Sequence, residues 1–170
     1  MKKRSIALLL LLALLTGCGA KTEEAPWQTA YRETGKYLQE QDTLSAGSVG
    51  GEWAVIGLSR AGLLSDEAAQ SYEQAAEDYV KQADSGRLDR AKSTENSRTI
   101  LGLTAAGYNA AAVAGVDLTS GLSDMNYLRI QGLNGPIWAL IALDCHGYDI
   151  PQCAEGGEQT TRAGLVAEIL

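Results

Sequence analysis

Three segments of this 170-residue chain align with one another, and that repeat limits the fold more than any other feature. They are EWAVIGLSRAG (52–62), SRTILGLTAAG (97–107) and IWALIALDCHG (137–147), offset by 45 and then 40 positions. Gly62, Gly107 and Gly147 coincide at the end. Ile56, Leu101 and Ile141 coincide inside, as do Leu58, Leu103 and Leu143, with Gly57, Gly102 and Ala142 in the small position between. Repeats of this length are the signature of stacked supersecondary units. Each segment is apolar around most of its circumference, which predicts a helix buried on all sides. A buried strand is the competing assignment. The Ala and Gly content, the length and the closing glycine favour a helix with a left-handed C-terminal cap. The shared small residue predicts close approach by a neighbouring helix.

The intervening segments are apolar on one face only. SDEAAQSYEQAAEDYVKQA (65–83) gathers Ala68, Ala69, Tyr72, Ala75, Ala76, Tyr79, Val80 and Ala83 on one side, with Ser65 as its cap and Asp66 and Glu67 in the first turn. WQTAYRETGKYLQEQ (27–41) carries Trp27, Tyr31, Tyr37 and Leu38. SDMNYLRIQG (123–132) is expected to start at Ser123, and TTRAGLVAEIL (160–170) at Thr160 or Thr161. The order alternates one-faced and all-round apolar segments, as two concentric layers of helices require. Strand patterns are absent, so the expected class is all-α.

The N-terminus speaks to location. Met1-Lys2-Lys3-Arg4 precedes ten apolar residues, Ile6 to Leu15, and then Thr16-Gly17. A charged start, a short apolar core and a small-residue exit describe a secretory signal. The apolar run is half the length of about 20 residues that a membrane-spanning helix needs. Leu15-Thr16-Gly17-Cys18 resembles the lipobox of bacterial lipoproteins. That resemblance implies cleavage after Gly17, a diacylglycerol thioether on Cys18 with acyl chains such as palmitate, and anchoring at the extracytoplasmic face of the cell membrane. Residues 1–17 are then the signal peptide, 18–26 the lipidated tether and 27–170 the folded domain.

Charge excludes one class of partner. The chain has 14 basic and 21 acidic residues, net −7, and loss of the three signal cations leaves the mature part at −10. Nucleic-acid binding, which needs Lys and Arg against phosphates, is not expected. Once Cys18 is lipidated, Cys145 and Cys153 remain, and in an exported chain they permit a disulfide. Two separate thiols are the alternative. With His146 the single histidine, no zinc site is expected.

The inner segments, GGEWAVIGLSRAG, NSRTILGLTAAGYN and GLNGPIWALIALD, are similar to the α/α-toroid superfamily of protein prenyltransferases, terpenoid cyclases and transcobalamin-like carriers. Exported bacterial proteins with prenyltransferase/squalene-oxidase-type repeats resemble them most. The resemblance spans residues 27–170 and implies an incomplete ring of about three and a half helical hairpins, where complete members close about six. Such an arc, ending in the apolar LVAEIL, would self-associate through its open edge.

The family's chemistry does not carry over. No Asp-x-Asp-Asp is present, contiguous Asp144, Cys145 and His146 diverge on a helix, and Ser59 in GLSRA sits inside a helix rather than on a nucleophile elbow. The resemblance instead points to a cavity rim. Trp53 and Trp138 lie near the starts of inner helices, and Tyr108, Asn96 and Asn134 are placed to join them. Packing of both tryptophans between layers is the alternative. The reading that follows is a lipid-anchored, non-catalytic module for a hydrophobic small molecule or a cobalamin-like ligand. A catalytically incomplete prenyl or terpene enzyme and a cell-surface scaffold are the alternatives.

Overall fold

A computed structural model describes residues 24–40, 44–83 and 86–170. Cys18, the signal peptide and most of the tether lie outside the described residues. The chain divides into two compact units, residues 1–33 and 34–170. Among the described residues there are seven α-helices, one 3₁₀ helix and no strand, so the protein is all-α. They are α1 (Pro26–Glu40), α2 (Val49–Arg60), α3 (Asp66–Val80), α4 (Ser93–Ala105), a 3₁₀ helix (Leu118–Leu122), α5 (Met125–Arg129), α6 (Asn134–Asp144) and α7 (Arg162–Ile169).

Local chemistry sets most boundaries. Ser48, Ser65 and Thr161 cap α2, α3 and α7 by accepting from the N–H three residues on, satisfying donors a helix start leaves open. The expected cap at Ser123 is corrected. Asp124 caps α5 through Asn126 N–H, while the Ser123 hydroxyl donates to Ser120 O in the 3₁₀ helix before it. Val49 to Gly51, from the glycine-rich stretch GSVGG (47–51), form the first turn of α2.

The repeat is visible in the helix ends. Gly62, Gly107 and Gly147 have φ of 67°, 91° and 66°, the left-handed region. The residue after each glycine donates its N–H back to the repeat leucine: Leu63 to Leu58 O at 2.9 Å, Tyr108 to Leu103 O at 2.9 Å, Tyr148 to Leu143 O at 2.8 Å. This is the same six-residue closure three times over, and it turns each chain sharply out of its helix.

Helices α2, α4 and α6 lie side by side, with α4 in the middle, and α3, the 3₁₀ helix, α5 and α7 pack against them. Val55, Ile100, Leu103, Ala139 and Leu143 from the row meet Tyr72, Leu118, Leu122, Leu128 and Leu165 in one core. All-round burial of the repeat helices is not what the structure has. Trp53 and Ile141 are 41% and 44% exposed, and Ile56, Leu101 and Trp138 are half-buried. The row is covered on one side and open on the other. The helix over 27–41 also departs from expectation: Trp27, Tyr31 and Tyr37 are exposed and only Gly35 is buried.

The small-residue column divides. A Cβ on Gly102 would sit 2.3 Å from the Tyr72 hydroxyl oxygen, so α3 approaches α4 closely there, whereas a Cβ on Gly57 meets nothing within 4 Å. Three substitutions separate these roles in urea unfolding. Gly57→Ala should stabilise by about 0.5–1 kcal/mol, Gly102→Ala should destabilise by about 1–3 kcal/mol through overpacking, and Gly107→Ala should destabilise by about 1–2 kcal/mol in its left-handed position.

Candidate functional site

The open side of the row is a stripe one helical face wide. On α2 it runs Trp53, Ile56, Arg60; on α4 Thr94, Arg98, Leu101, Ala105; on α6 Asn134, Trp138, Ile141, with Cys145 as its C-cap. The spacing of three and four residues keeps each set on one face. The offsets of 45 and 40 also put Trp53, Arg98 and Trp138 in a single column of the repeat.

At the N-terminal end of this stripe the indoles of Trp53 and Trp138 meet above α4, ring centroids 5.4 Å apart and planes at 58°. This tilted arrangement suits the opposed quadrupoles of ring face and edge. Together with Thr94, Arg98, Gln131 and Asn134 they line a depression of about 310 Å³. A second, separate depression of about 260 Å³ lies toward the C-terminal end, lined by Ile56, Arg60, Leu101, Thr104 and Cys145.

Arg98 is fixed from below. Its Nε donates to Glu52 Oε2 at 3.0 Å, and its two terminal nitrogens donate to Glu95. Glu52 is wholly buried and also accepts the Gly47 N–H at 2.6 Å. Burial pushes the Glu52 carboxyl above its ordinary value, with the Arg98 charge and the Gly47 N–H pulling the other way. The two carboxylates hold Arg98 firmly protonated, against its own partial burial. Gln131 accepts from Thr94 N–H at 2.9 Å and donates to Thr94 Oγ1 at 3.2 Å, supplying the start of α4 with the acceptor that Lys92 does not. These contacts hold the polar wall of the depression in place without help from a ligand.

Three of the five residues expected at a rim therefore converge: Trp53, Asn134 and Trp138. The other two do not. Asn96 is buried, its amide donating to Gly86 O and Leu118 O and accepting from Leu88 N–H, so it ties the segment before α4 to the 3₁₀ helix. Tyr108 follows the glycine that closes α4, at the opposite end of that helix from Thr94 and Arg98, and packs partly buried against the core. The alternative of both tryptophans packed between layers does not fit the 41% exposure of Trp53. Arg98, Thr94 and Gln131 were not anticipated.

The structure does not join Cys145 to Cys153; both are free and half-buried, and the Cys145 thiol donates to Ala142 O at 3.1 Å. Asp144 pairs with Arg162 at 2.7 Å while His146 packs beside the Tyr148 ring, so these neighbours of Cys145 do diverge. The Ser59 hydroxyl donates to Ala105 O at 2.5 Å, fastening α2 to α4. Among the described residues no group of three His, Cys, Asp or Glu is placed to hold a metal ion, and no helix is long and apolar enough to cross a membrane.

A larger depression, about 610 Å³, lies among loops around Arg87, Ser120, Asp124 and Gly157. Its ion pair, Arg87 to Asp124 at 2.8 Å, is spent on the fold, since Asp124 also caps α5 and accepts from Glu158 N–H. The tryptophan groove, built on helices, is the better candidate. No family model matches this chain, and no curated protein or solved structure is similar to it.

Glu52 supplies a test of the groove floor. A carboxyl whose folded pKa lies above that of the unfolded chain contributes stability below about pH 4.3, the free glutamate value, and loses it as pH rises through the folded pKa. The unfolding free energy of wild type minus that of Glu52→Gln should therefore fall as pH rises from 4 and then level off. A difference constant with pH would contradict the assignment.

Proposed function

We propose that this protein is a non-catalytic ligand-binding module, tethered by a lipid on Cys18 at the outer face of the cell membrane. Its helical repeats are read as an arc of the α/α-toroid kind, and its ligand lies in the groove beneath Trp53 and Trp138. The observation that carries this reading is the indole pair itself. Two of the chain's three tryptophans are brought from α2 and α6 to one open, concave place, where one remains 41% exposed. Large apolar side chains left clustered at a surface concavity mark binding sites more often than chance.

The volume favours a small molecule, being at the lower end of about 300–1,000 Å³ typical of ligand pockets. A hydrophobic small molecule fits within the first depression. A cobalamin-like ligand would have to extend along the stripe over Ile56 and Leu101 into the second. The lipid anchor rests on Leu15-Thr16-Gly17-Cys18, and pairing of copies through the α7 edge, where Val166 and Leu170 are exposed, belongs to the same reading.

Two measurements test it. Metabolic labelling with a clickable palmitate analogue should mark the protein and release it from membranes in Cys18→Ser; an unlabelled protein that is membrane-bound in both forms contradicts the anchor. In a Trp27→Phe background, a bound ligand should shift the fluorescence of Trp53 and Trp138 and raise the melting temperature, and Trp53→Ala or Trp138→Ala should weaken binding tenfold or more. Ligand binding that neither substitution alters would move the site elsewhere.

A further inference from the structure

Resting on the groove as the binding site, we propose that its ligand is a neutral saccharide, a gluco-configured pyranose unit of an extracytoplasmic glycan. The argument starts from charge. Among the described residues, the ionised groups at the depression under the indoles are Arg98 and the two carboxylates that hold it, Glu52 and Glu95; Arg60 lies farther along the stripe, at the second depression. Glu95 spends its oxygens on the terminal nitrogens of Arg98, and Glu52 spends its own on Arg98 Nε and Gly47 N–H. Among the described residues of this depression no cation is left over to receive an anionic ligand, and the side chain of Arg98 is only 11% exposed. Nor is a carboxylate left to face an ammonium group.

The rest of the lining is neutral and polar, beside two indoles: the Thr94 hydroxyl and Gln131 amide, which hydrogen-bond each other, and the exposed Asn134 amide. A pure hydrocarbon would strip water from these groups and give no hydrogen bond in return, at a cost that its apolar contact with the indoles must first overcome. A planar heteroaromatic ring stacked on one indole would turn only its thin edge toward the polar groups around it. A pyranose with all substituents equatorial meets both demands. Its axial C–H bonds form a flat, weakly positive face that lies on the negative face of one indole. Its equatorial hydroxyls project sideways, where an amide offers a donor and an acceptor together and a hydroxyl offers both on one atom. Asn134 is exposed at the start of α6 and is the amide most free to turn toward such an edge. The second depression, farther along the stripe, gives a further sugar unit a place, with Arg60 as a donor to its hydroxyls.

The test uses the full chain, solubilised in a detergent without a sugar headgroup, titrated by calorimetry with cellotetraose, chitotetraose, farnesol, cyanocobalamin and choline. Saturable binding of either tetraose is expected, weakened tenfold or more in Trp53→Ala, in Trp138→Ala and, by several-fold, in Asn134→Ala. The last replaces an exposed side chain and keeps the test valid should a tryptophan variant fail to fold. Binding of farnesol, cyanocobalamin or choline through the tryptophans, with no response to the tetraoses, would overturn the saccharide and leave the groove standing. Tetraose binding indifferent to all three substitutions would overturn it too. Silence in all five titrations would count against the saccharide and the groove together.

Discussion

Arg98 links the buried side of the molecule to its open side. The side chain leaves the middle helix of the row, meets a wholly buried Glu52 from α2 and Glu95 one turn away, and presents its remaining edge to the groove under the indoles. Burying Glu52 is costly on its own, as the upward push on its carboxyl records. An opposite charge with good geometry and a backbone N–H offset that cost, so the pair is expected to specify how α2 sits on α4 more than to add stability. The register of those two helices brings Trp53 to the height of Arg98. The matching register of α4 and α6 brings Trp138 to the same level.

The repeat explains why such a layer exists. The same leucine fills the core and accepts the same closing hydrogen bond in all three units, and the same left-handed glycine turns the chain out. On the open stripe the repeated Ile56, Leu101 and Ile141 stand beside a column that differs between units, Trp53, Arg98 and Trp138. Trp53, Thr94, Arg98, Asn134 and Trp138 sit on helices, which position side chains more sharply than loops do, while Gln131 comes from the turn between α5 and α6.

Much of this layout is legible in the chain. Apolar runs ending at glycine foretell α2, α4 and α6 and their caps, because each signal is local. The open stripe is not legible from apolarity alone: Ile56, Leu101 and Ile141 look like core residues, and only the absence of a covering element among the described residues exposes them. Trp27, Tyr31 and Tyr37 illustrate the same limit, since a one-faced pattern states what is apolar but not what covers it. At the site, Trp53, Asn134 and Trp138 were readable from their places near helix starts. Asn96 has a similar place, yet its amide serves three backbone groups, a duty that depends on residues 86, 88 and 118 and leaves no trace in its own neighbourhood. Arg98 went unread because a lone charge in an apolar repeat looks like a solvated exception. The column it shares with the two tryptophans was the available signal.

The account rests on α2 and α6 leaning their indoles together over α4, and circular dichroism of the Trp27→Phe protein tests that most directly. Two indoles 5.4 Å apart couple their electronic transitions. The predicted result is a paired positive and negative band that disappears whole when either Trp53 or Trp138 is changed to phenylalanine. A spectrum equal to the sum of the two single-tryptophan proteins would contradict the account.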